Sequence, residues 1–416
     1  GGMGTTLVDS LSTLWLMGMK VEFWEARDWV RDHLSHDHVG AVSVFETTIR
    51  SLGGLLSAYD FTQDKAFLEK ADDLGSRLSK AFHSPSGIPY SETTLNGDKS
   101  YNTVWHSKDA ILSELGTLQL EFRYLAKVTG NNDYATLVNR IYDIMEPLQP
   151  PDTGLFPLFI GNKGSKPDFG NARISLGAMG DSFYEYLLKV WLQGGKKEDN
   201  YRRMYDKAMD GVHKYLVQEQ PGVLTYIAEM NNGRINRKMD HLSCFMGGTL
   251  ALRAYTNPDG LNSDRAQRDL RLGKALAYTC YQMYAQSNTG IAPEYVRFSD
   301  KNDLQLSKHA PYYILRPEAA ETFFILHTLT GDPTYREWGW EIFQAIEHHC
   351  KTDIGYASLV DVNNPEAGQN DKMESFFLAE TLKYLFLLQD PDTELDLEER
   401  VFNTEAHPLR LLHLIQ

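Results

Sequence analysis

The stretch "TGNNDYATLVNRIYDIM", residues 129–145, followed by "TGLFPLFI", residues 153–160, contains the pattern that decides the fold. The first piece is a turn followed by apolar and aromatic residues at helical spacing, and the second is a short extended segment led by Gly154. The turn and helix return at residues 62–78 and 330–346, and more loosely at 194–212. Such internal similarity predicts a fold built from repeated helical units.

The glycines that lead the extended segments give the period of the repeat. They are Gly87, Gly154, Gly222, Gly290 and Gly355, and the intervals between them are 67, 68, 68 and 65 residues. A unit of this length holds two ordinary helices and a loop with a short strand. Two arrangements fit this repeat: an open solenoid, or a closed toroid in which one set of helices lines a central cavity.

Polar residues on apolar helices favour the toroid, an all-α (α/α) barrel. The helices that carry them are expected to begin near Glu46, Leu112, Asp181, His241, Pro317 and Ser375. In "SVFETTIRSLGGLLSAYD", residues 43–60, Glu46 and Arg50 lie four apart, and the small residues that follow are expected to leave room for the cavity. Glu114 and Glu121, seven apart, are expected on one helix face.

Composition excludes some functions and leaves the cysteines open. The 416 residues carry a net charge of −15 without a basic tract, which argues against a nucleic-acid partner. No apolar run is long enough for a membrane span, and no signal peptide is visible. The three cysteines fit either buried thiols or one disulfide with a free thiol.

The acids suggest a reaction class. Each acid alone could be a helix N-terminal residue favoured by the helix dipole. Carboxylates that share one cavity repel each other, so some are held protonated, and a general acid beside a second carboxylate is what glycoside hydrolysis requires. No EF-hand loop is present, so the residues alone assign no metal.

Six motifs together resemble glycoside hydrolase family 47, the class I α-1,2-mannosidases. They are "SVFETTIRSLGGLLSAYD", "GDSFYEYLLKVW", "MDHLSCF", "YYILRPEAAETF", "MESFFLAETLKYLFLL" and "FNTEAHP". The resemblance covers essentially the whole chain. It implies an (α/α)7 barrel, with short β-hairpins expected in its loops. The C-terminal stretch "VFNTEAHPLRLL", residues 401–412, crowds polar residues between apolar ones, which fits either a capped turn or a segment that plugs the barrel. Residues 1–416 would form one catalytic domain that lacks the first family helix and any N-terminal membrane anchor.

The same resemblance implies an inverting exo-α-1,2-mannosidase. Glu46 matches the general acid, Glu318 the general base and Asp181 a third catalytic carboxylate. Thr404 matches the residue that binds one Ca²⁺ through its hydroxyl and carbonyl oxygens. The positions that hold mannose or its waters are matched by Arg50, Glu114, His241, Arg316, Glu321, Phe376, Glu380 and Glu405.

The resemblance also implies a cell compartment and partners. Cys244 and Cys280 match the family's disulfide, which points to the secretory pathway and leaves Cys350 free. Met179, two residues before Asp181, resembles Golgi-type rather than ER-type enzymes and favours trimming of high-mannose N-glycans to five mannoses. We expect a monomer that contacts a membrane only through an anchor absent from this chain. The alternative is a mannosidase-like glycan-binding factor in ER-associated degradation.

Overall fold

The computed structural model describes residues 2–103, 109–161, 164, 166–169, 172–219, 224–301, 303–393 and 395–415. The chain forms two compact units. Unit 1 comprises Gly1–Ser175, Met179–Gly211 and Leu395–Gln416, and unit 2 comprises Leu176–Ala178 and Val212–Glu394. That residues 1–416 act as one catalytic domain stays a prediction.

Helices account for most of the regular structure, as predicted. The α-helices are α1 Thr5–Leu16, α2 Lys20–His33, α3 Val44–Thr47, α4 Gly53–Thr62, α5 Lys65–Leu78, α6 Leu112–Gly116, α7 Gln119–Thr129, α8 Asp133–Met145, α9 Asp181–Gln193, α10 Asp199–Gly211, α11 Phe245–Tyr255, α12 Asp264–Ala285, α13 Glu318–Thr330, α14 Thr334–His349 and α15 Leu382–Gln389. Three π-helical turns lie at Thr48–Leu52, Val212–Leu216 and Phe377–Thr381.

The strands are short, and most pair as antiparallel hairpins in the loops. They are β1 Ala41–Ser43, β2 Glu92–Thr94, β3 Ser100–Tyr101, β4 Ala110–Ile111, β5 Phe159–Gly161, β6 Asp168–Phe169, β7 Arg173–Ile174, β8 Val217–Gln218, β9 Tyr226–Ile227, β10 Glu229–Asn231, β11 Arg234–Asn236, β12 Lys238–Asp240, β13 Tyr295–Phe298, β14 Leu304–Leu306, β15 Ser358–Leu359, β16 Gln369–Asn370, β17 Arg400–Phe402 and β18 Pro408–Arg410. The last hairpin pairs Phe402 with Pro408 and encloses the turn Asn403–His407, which we name the C-terminal turn.

Burial divides the helices of unit 1 into two kinds. In α9 every residue from Ser182 to Gln193 is buried, whereas α10 buries residues such as Tyr201, Tyr205 and Ala208 at helical spacing along one face. A helix that is buried on all sides must be enclosed by other elements, so α9 lies in the core of unit 1 and α10 at its surface. Glu185 of α9 is therefore inside the protein, whereas Asp181 at the start of the helix is partly exposed.

Repeat glycines occupy matching places in the structure. Gly87, Gly154 and Gly290 have φ values of 80°, 69° and 71°, a conformation that costs glycine little. A Cβ on Gly87 would meet Ile144 of α8, one on Gly154 the Lys207 carbonyl of α10, and one on Gly290 Ala345 of α14. Each glycine thus lets the loop pass close to the next surface helix. Gly355 has no positive φ, and Gly222 lies outside the described residues.

Two local expectations were wrong. The small residues after Arg50 do not border a cavity, because other parts of the chain pack against them. A Cβ on Gly53 would lie 2.6 Å from Asn403 Nδ2, and a Cβ on Gly54 would lie 2.5 Å from the Val8 carbonyl. The Ser57 hydroxyl donates to the Pro408 carbonyl. The small size of these residues lets α1 and the C-terminal hairpin pack closely against α4.

Glu114 and Glu121 do not share one helix face, because the helix is interrupted between α6 and α7, where Leu118 has a φ of −130°.

The cysteines follow the family resemblance. A disulfide joins Cys244, just before α11, to Cys280 of α12, across 36 residues, and Cys350 is free and buried. Within the described ranges, none of the helices combines the length and the apolar character that crossing a membrane requires.

Candidate active site

In unit 1, one arginine joins three carboxylates. Glu46 of α3 and Arg50 of the following π-turn lie one helical turn apart, and Arg50 Nε donates to Glu46 Oε2 at 2.7 Å. Arg50 Nη1 donates to Glu405 Oε1 at 2.5 Å and lies 3.7 Å from Asp9 Oδ2. The side chain of Glu46 is 48% exposed, whereas those of Glu405 and Asp9 are buried. Glu46 is therefore the carboxylate of this cluster that solvent or a ligand can reach.

Burial and charge compete within this cluster. Burial opposes the charge of Arg50, but Glu405, Glu46 and Asp9 outweigh it, and the pKa of Arg50 is raised. Burial likewise opposes ionisation of Asp9, but His407 and Arg50 hold the pKa of Asp9 below its usual value. His407 Nε2 lies 2.8 Å from Asp9 Oδ1, and its Nδ1 lies 3.0 Å from the Ser12 hydroxyl. The cluster therefore fastens α1 to the C-terminal turn.

Thr404 lies among oxygen atoms of α7 and α9. Its hydroxyl donates to Glu185 Oε2 at 2.9 Å, and its backbone N–H donates to the Tyr186 hydroxyl at 3.2 Å. Tyr186 in turn donates to Glu121 Oε1 at 2.6 Å. Lys189 donates to the other oxygen of Glu185 at 2.5 Å.

This oxygen set fits a calcium ion. Glu121 Oε2 is buried without a hydrogen-bond partner, and burial raises the pKa of Glu121 to about 7 despite the hydrogen bonds from Tyr186 and Asn403. A cation would favour the ionised form of Glu121 and give the free oxygen a partner. Hydroxyl, carbonyl and carboxylate oxygens are the ligands that Ca²⁺ prefers. In the described part of the chain, no group of three or more His, Cys, Asp or Glu side chains could hold a metal, so these oxygens would need waters to complete the shell.

Asp181 and Glu114 occupy other places in unit 1. Asp181 is the first residue of α9, and its Oδ1 accepts from the backbone N–H of Ser182 at 2.8 Å. A Cβ on Gly180 would collide with the Ser175 carbonyl, which explains the glycine before it. Glu114 borders a small pocket, with room for about one water molecule, together with Phe45 and Leu118. Burial first, then the charges of Glu46 and Glu92, raise the pKa of Glu114 to about 7.

In unit 2, Glu318 is buried and held by a histidine. His241 Nδ1 lies 2.7 Å from Glu318 Oε2, and His241 Nε2 lies 2.7 Å from the Tyr284 hydroxyl. Burial would raise the pKa of Glu318, but the hydrogen bond from His241 and the charge of Arg316 outweigh it, and the pKa is lowered. Glu318 is therefore ionised at neutral pH, as a carboxylate that accepts a proton must be.

Arg316 is fixed by an acid that the sequence analysis did not single out. Its Nε and Nη2 donate to the two oxygens of Glu294 at 2.8 and 2.7 Å, and its Nη1 lies 3.7 Å from Glu318 Oε1. A bidentate salt bridge of this kind fixes the plane of the guanidinium group. The only signal for Glu294 was an acid within the apolar segment "TGIAPEYV". Asp9 and Tyr284 were also missed, because their partners are distant in sequence.

The remaining predicted residues are also buried in unit 2. Glu321 lies in the first turn of α13 with 5% exposure, Glu380 lies in the π-turn Phe377–Thr381 with 6%, and Phe376 precedes that turn with 9%. Buried acids at such positions agree with the predicted polar helix faces.

Unusual backbone accompanies the predicted site residues. Met179, Leu315 and Ala406 are three of the six described non-glycine residues with positive φ, at 73°, 69° and 58°. They lie within two residues of Asp181, Arg316 and Glu405. Two of the π-turns contain Arg50 and Glu380. Strained residues and π-turns concentrate at functional sites.

Known proteins resemble this chain over almost all of its length. Mannosyl-oligosaccharide alpha-1,2-mannosidase IA of Drosophila melanogaster is 44% identical over 98% of the chain and 60% of its own length. The endoplasmic reticulum mannosyl-oligosaccharide 1,2-alpha-mannosidase of Homo sapiens is 43% identical over 98% of the chain and 58% of its own length. The chain thus spans about 60% of these relatives.

A solved structure and a family profile agree. The alpha-1,2-mannosidase from Trichoderma reesei superposes with a TM-score of 0.88 at 29% identity, over 98% of this chain and 90% of that one. This likeness confirms the predicted fold class, the (α/α)7 barrel. The profile of Glycosyl hydrolase family 47 matches residues 1–411. With that match and the arrangement of its acids, the chain belongs to glycosyl hydrolase family 47.

Proposed function

We propose that the chain is an inverting, Ca²⁺-dependent exo-α-1,2-mannosidase that removes terminal α-1,2-linked mannose from high-mannose N-glycans. The observation that carries the proposal is the ionised, buried Glu318, aligned by His241 beside Arg316. Family membership and the mannosidase names of the relatives support the substrate class.

The roles of the acids follow from their surroundings. Glu318 accepts a proton from the attacking water, and His241, which is held by Tyr284, orients its carboxylate. Glu46 gives a proton to the leaving oxygen. Since Arg50 is shared among three carboxylates, its charge does not balance Glu46 alone. Asp181 is the third catalytic carboxylate, at the N-terminus of α9.

Thr404, with waters placed by Glu121 and Glu185, would hold the calcium ion. When bound, the ion would supply a fixed positive charge to which sugar hydroxyls can bind. The oxygen donors and the unpartnered Glu121 oxygen support this assignment.

The disulfide Cys244–Cys280 supports a place in the lumen of the secretory pathway, because such bonds persist in oxidising compartments. We assign the chain to the Golgi rather than the ER on the apolar Met179, which would relax branch selection and allow trimming to five mannoses. The high identity to relatives of both kinds does not separate these subtypes.

The deciding experiment follows a nine-mannose N-glycan by mass, with and without EDTA. We expect stepwise loss of mannose to five, abolished by EDTA and restored by Ca²⁺, with β-mannose as the first product by NMR because the reaction inverts configuration. The variant Glu318→Gln should lose about 10²–10⁴-fold in kcat, whereas the exposed control Glu366→Gln should not.

Other outcomes are equally informative. A halt at eight mannoses would retain the enzyme but reject the assignment from Met179. Glycan binding without release of mannose by the folded, calcium-loaded protein would reject the hydrolase and favour the glycan-binding factor.

A further inference from the structure

Asn403 is a fully buried amide at the first position of the C-terminal turn. Its Oδ1 accepts from the backbone N–H groups of Glu405 at 3.0 Å and His407 at 2.8 Å. The backbone of Asn403 also closes the turn: its N–H donates to the His407 carbonyl at 3.0 Å, and its carbonyl accepts from Ala406 at 3.2 Å. The turn that carries Thr404 and Glu405 is therefore folded around this one side chain.

The amide nitrogen of Asn403 reaches outward to two helices. Nδ2 donates to the Ile49 carbonyl at 2.9 Å and to Glu121 Oε1 at 2.7 Å. The amide cannot be flipped, because its nitrogen would then face two N–H groups and its oxygen would face two acceptors. All four hydrogen-bonding positions of the amide are used, so both the turn and its place against the helices depend on it.

Ile49 and Glu121 are not arbitrary anchors. Ile49 lies in the π-turn that also contains Arg50, which holds Glu46 and Glu405. Glu121 shares the Tyr186 hydroxyl with the Thr404 backbone N–H. Gly53 provides the space for the amide, since a Cβ there would lie 2.6 Å from Asn403 Nδ2.

We propose that Asn403 is a positioning residue, which sets the Thr404 oxygens and the Glu405 carboxylate at the places where they bind calcium and contact Arg50. The inference rests on the proposed function for the identity of the ion. The hydrogen-bond geometry of the turn can be tested without it.

The main test compares Asn403→Ala with the wild-type protein. Terbium, a luminescent substitute for Ca²⁺ excited through nearby tyrosines, reports the ion affinity. We expect the variant to bind terbium about 10–100-fold more weakly, the usual effect of removing a residue that orients a metal ligand, and kcat to fall in parallel. The matched control is Asn257→Ala, another buried asparagine whose amide donates within a loop of unit 2. Its terbium affinity should equal that of the wild type.

Hydrogen exchange provides a readout that needs neither ion nor substrate. In the calcium-free wild type, Asn403 should protect the amides of Glu405 and His407, and in Asn403→Ala they should exchange about tenfold faster or more. Wild-type exchange together with wild-type terbium affinity would overturn the proposal. If the wild type neither binds terbium nor releases mannose, the proposed function fails, and exchange alone decides whether Asn403 orders the turn.

A second variant covers the case in which Asn403→Ala does not fold. Gly53→Ala keeps the amide but presses on its nitrogen, a side-chain atom that can move. We expect terbium affinity and kcat to fall about tenfold, toward the lower end of the range for a disturbed support. Unchanged affinity in a folded Gly53→Ala protein would contradict the proposal.

Discussion

Glu318 is buried and Glu114 is partly buried, yet the pKa values of these two acids shift in opposite directions. Glu318 faces His241 and Arg316, so its pKa is lowered although burial opposes ionisation. Glu114 has one oxygen without a partner and faces other acids, so burial and the charges of Glu46 and Glu92 raise its pKa to about 7. The direction of each shift is decided by the neighbours and not by burial alone.

Replacing His241 with Asn should move the pH profile of the enzyme. Without the histidine, burial is opposed by Arg316 and a backbone hydrogen bond, so the pKa of Glu318 rises and the proposed base becomes protonated at higher pH. We expect the acidic limb of kcat/KM to shift upward by roughly one pH unit. The control His327→Asn replaces a histidine whose ring hydrogen-bonds the Asp332 carbonyl, and it should leave the acidic limb of kcat/KM unchanged. An unshifted limb in His241→Asn would contradict the role given to this contact.

Replacing Glu114 with Gln should change how stability depends on pH. The folded-state pKa is about 7 and the unfolded value is 4.5, so the native protein binds the extra proton and loses stability as pH rises through that window. The loss is of the order of 3 kcal/mol, and Gln avoids it. Urea unfolding should show the free energy of unfolding of the variant rising relative to that of the wild type from pH 4.5 to 7. Above pH 7 the difference between the two proteins should stay constant. A constant difference across this range would refute the shift.

Sequence spacing identified some of these contacts and missed others. The pair Glu46–Arg50 was visible because residues four apart meet on a helix. The contact of His241 with Glu318 spans 77 residues, and that of Asp9 with His407 spans 398. No local pattern encodes such pairs, so the resemblance could supply His241 and Glu318 as site residues but not their contact.

At the scale of elements, the period near 67 residues predicted the helices well and their interruptions poorly. The expected starts near Leu112 and Asp181 are the first residues of α6 and α9. The break between α6 and α7 was not foreseen, because "ILSELGTLQLEF" continues the apolar spacing of a helix through Thr117 and Leu118. At this break, packing against α9 overrides the apolar spacing. A Cβ on Gly116 would collide with Phe183 of α9, and the Thr117 hydroxyl donates to the Ser182 hydroxyl.

The repeat glycines allow a direct test of this packing. Gly154→Ala introduces a Cβ at a φ of 69° and against the Lys207 carbonyl of α10, whereas Gly130→Ala has a similar φ of 76° and open space. We expect Gly130→Ala to lower the free energy of unfolding by about 1 kcal/mol and Gly154→Ala by about 2 kcal/mol more. Urea unfolding measures both. Equal losses would mean that only the backbone conformation matters.

At the scale of the molecule, unit 1 is built from both ends of the chain. Leu395–Gln416 belongs to the same compact unit as α1, and the C-terminal turn packs against Gly53 of α4. The repeat could not predict this return. The crowded polar residues of "VFNTEAHPLRLL" suggested it, as a segment that could plug the barrel, and the structure shows contacts of this segment with Asp9, Ile49 and Glu121.

Shortening the chain from its C-terminus should therefore have a threshold. A chain that ends at Leu411 keeps the hairpin β17–β18 and should unfold within a few degrees of the full chain. A chain that ends at Asp390 lacks the hairpin and removes the partners that the C-terminal turn gives to Asp9, Arg50 and Glu121, which costs several kcal/mol. Thermal unfolding and limited proteolysis compare the two. A protease-resistant chain ending at Asp390 would contradict this account.

The contact of Asp9 with His407 also has a consequence for synthesis. A ribosome that adds about 5–20 residues per second needs roughly 20–80 s to travel from the first of these residues to the second. Throughout that time Asp9 of α1 has not yet met His407, and Arg50 has not yet met Glu405. The N-terminal part of the chain must therefore be kept from aggregating until His407 has been synthesised, and a ribosome that stalls before that residue releases a chain with most of its helices and no completed C-terminal turn.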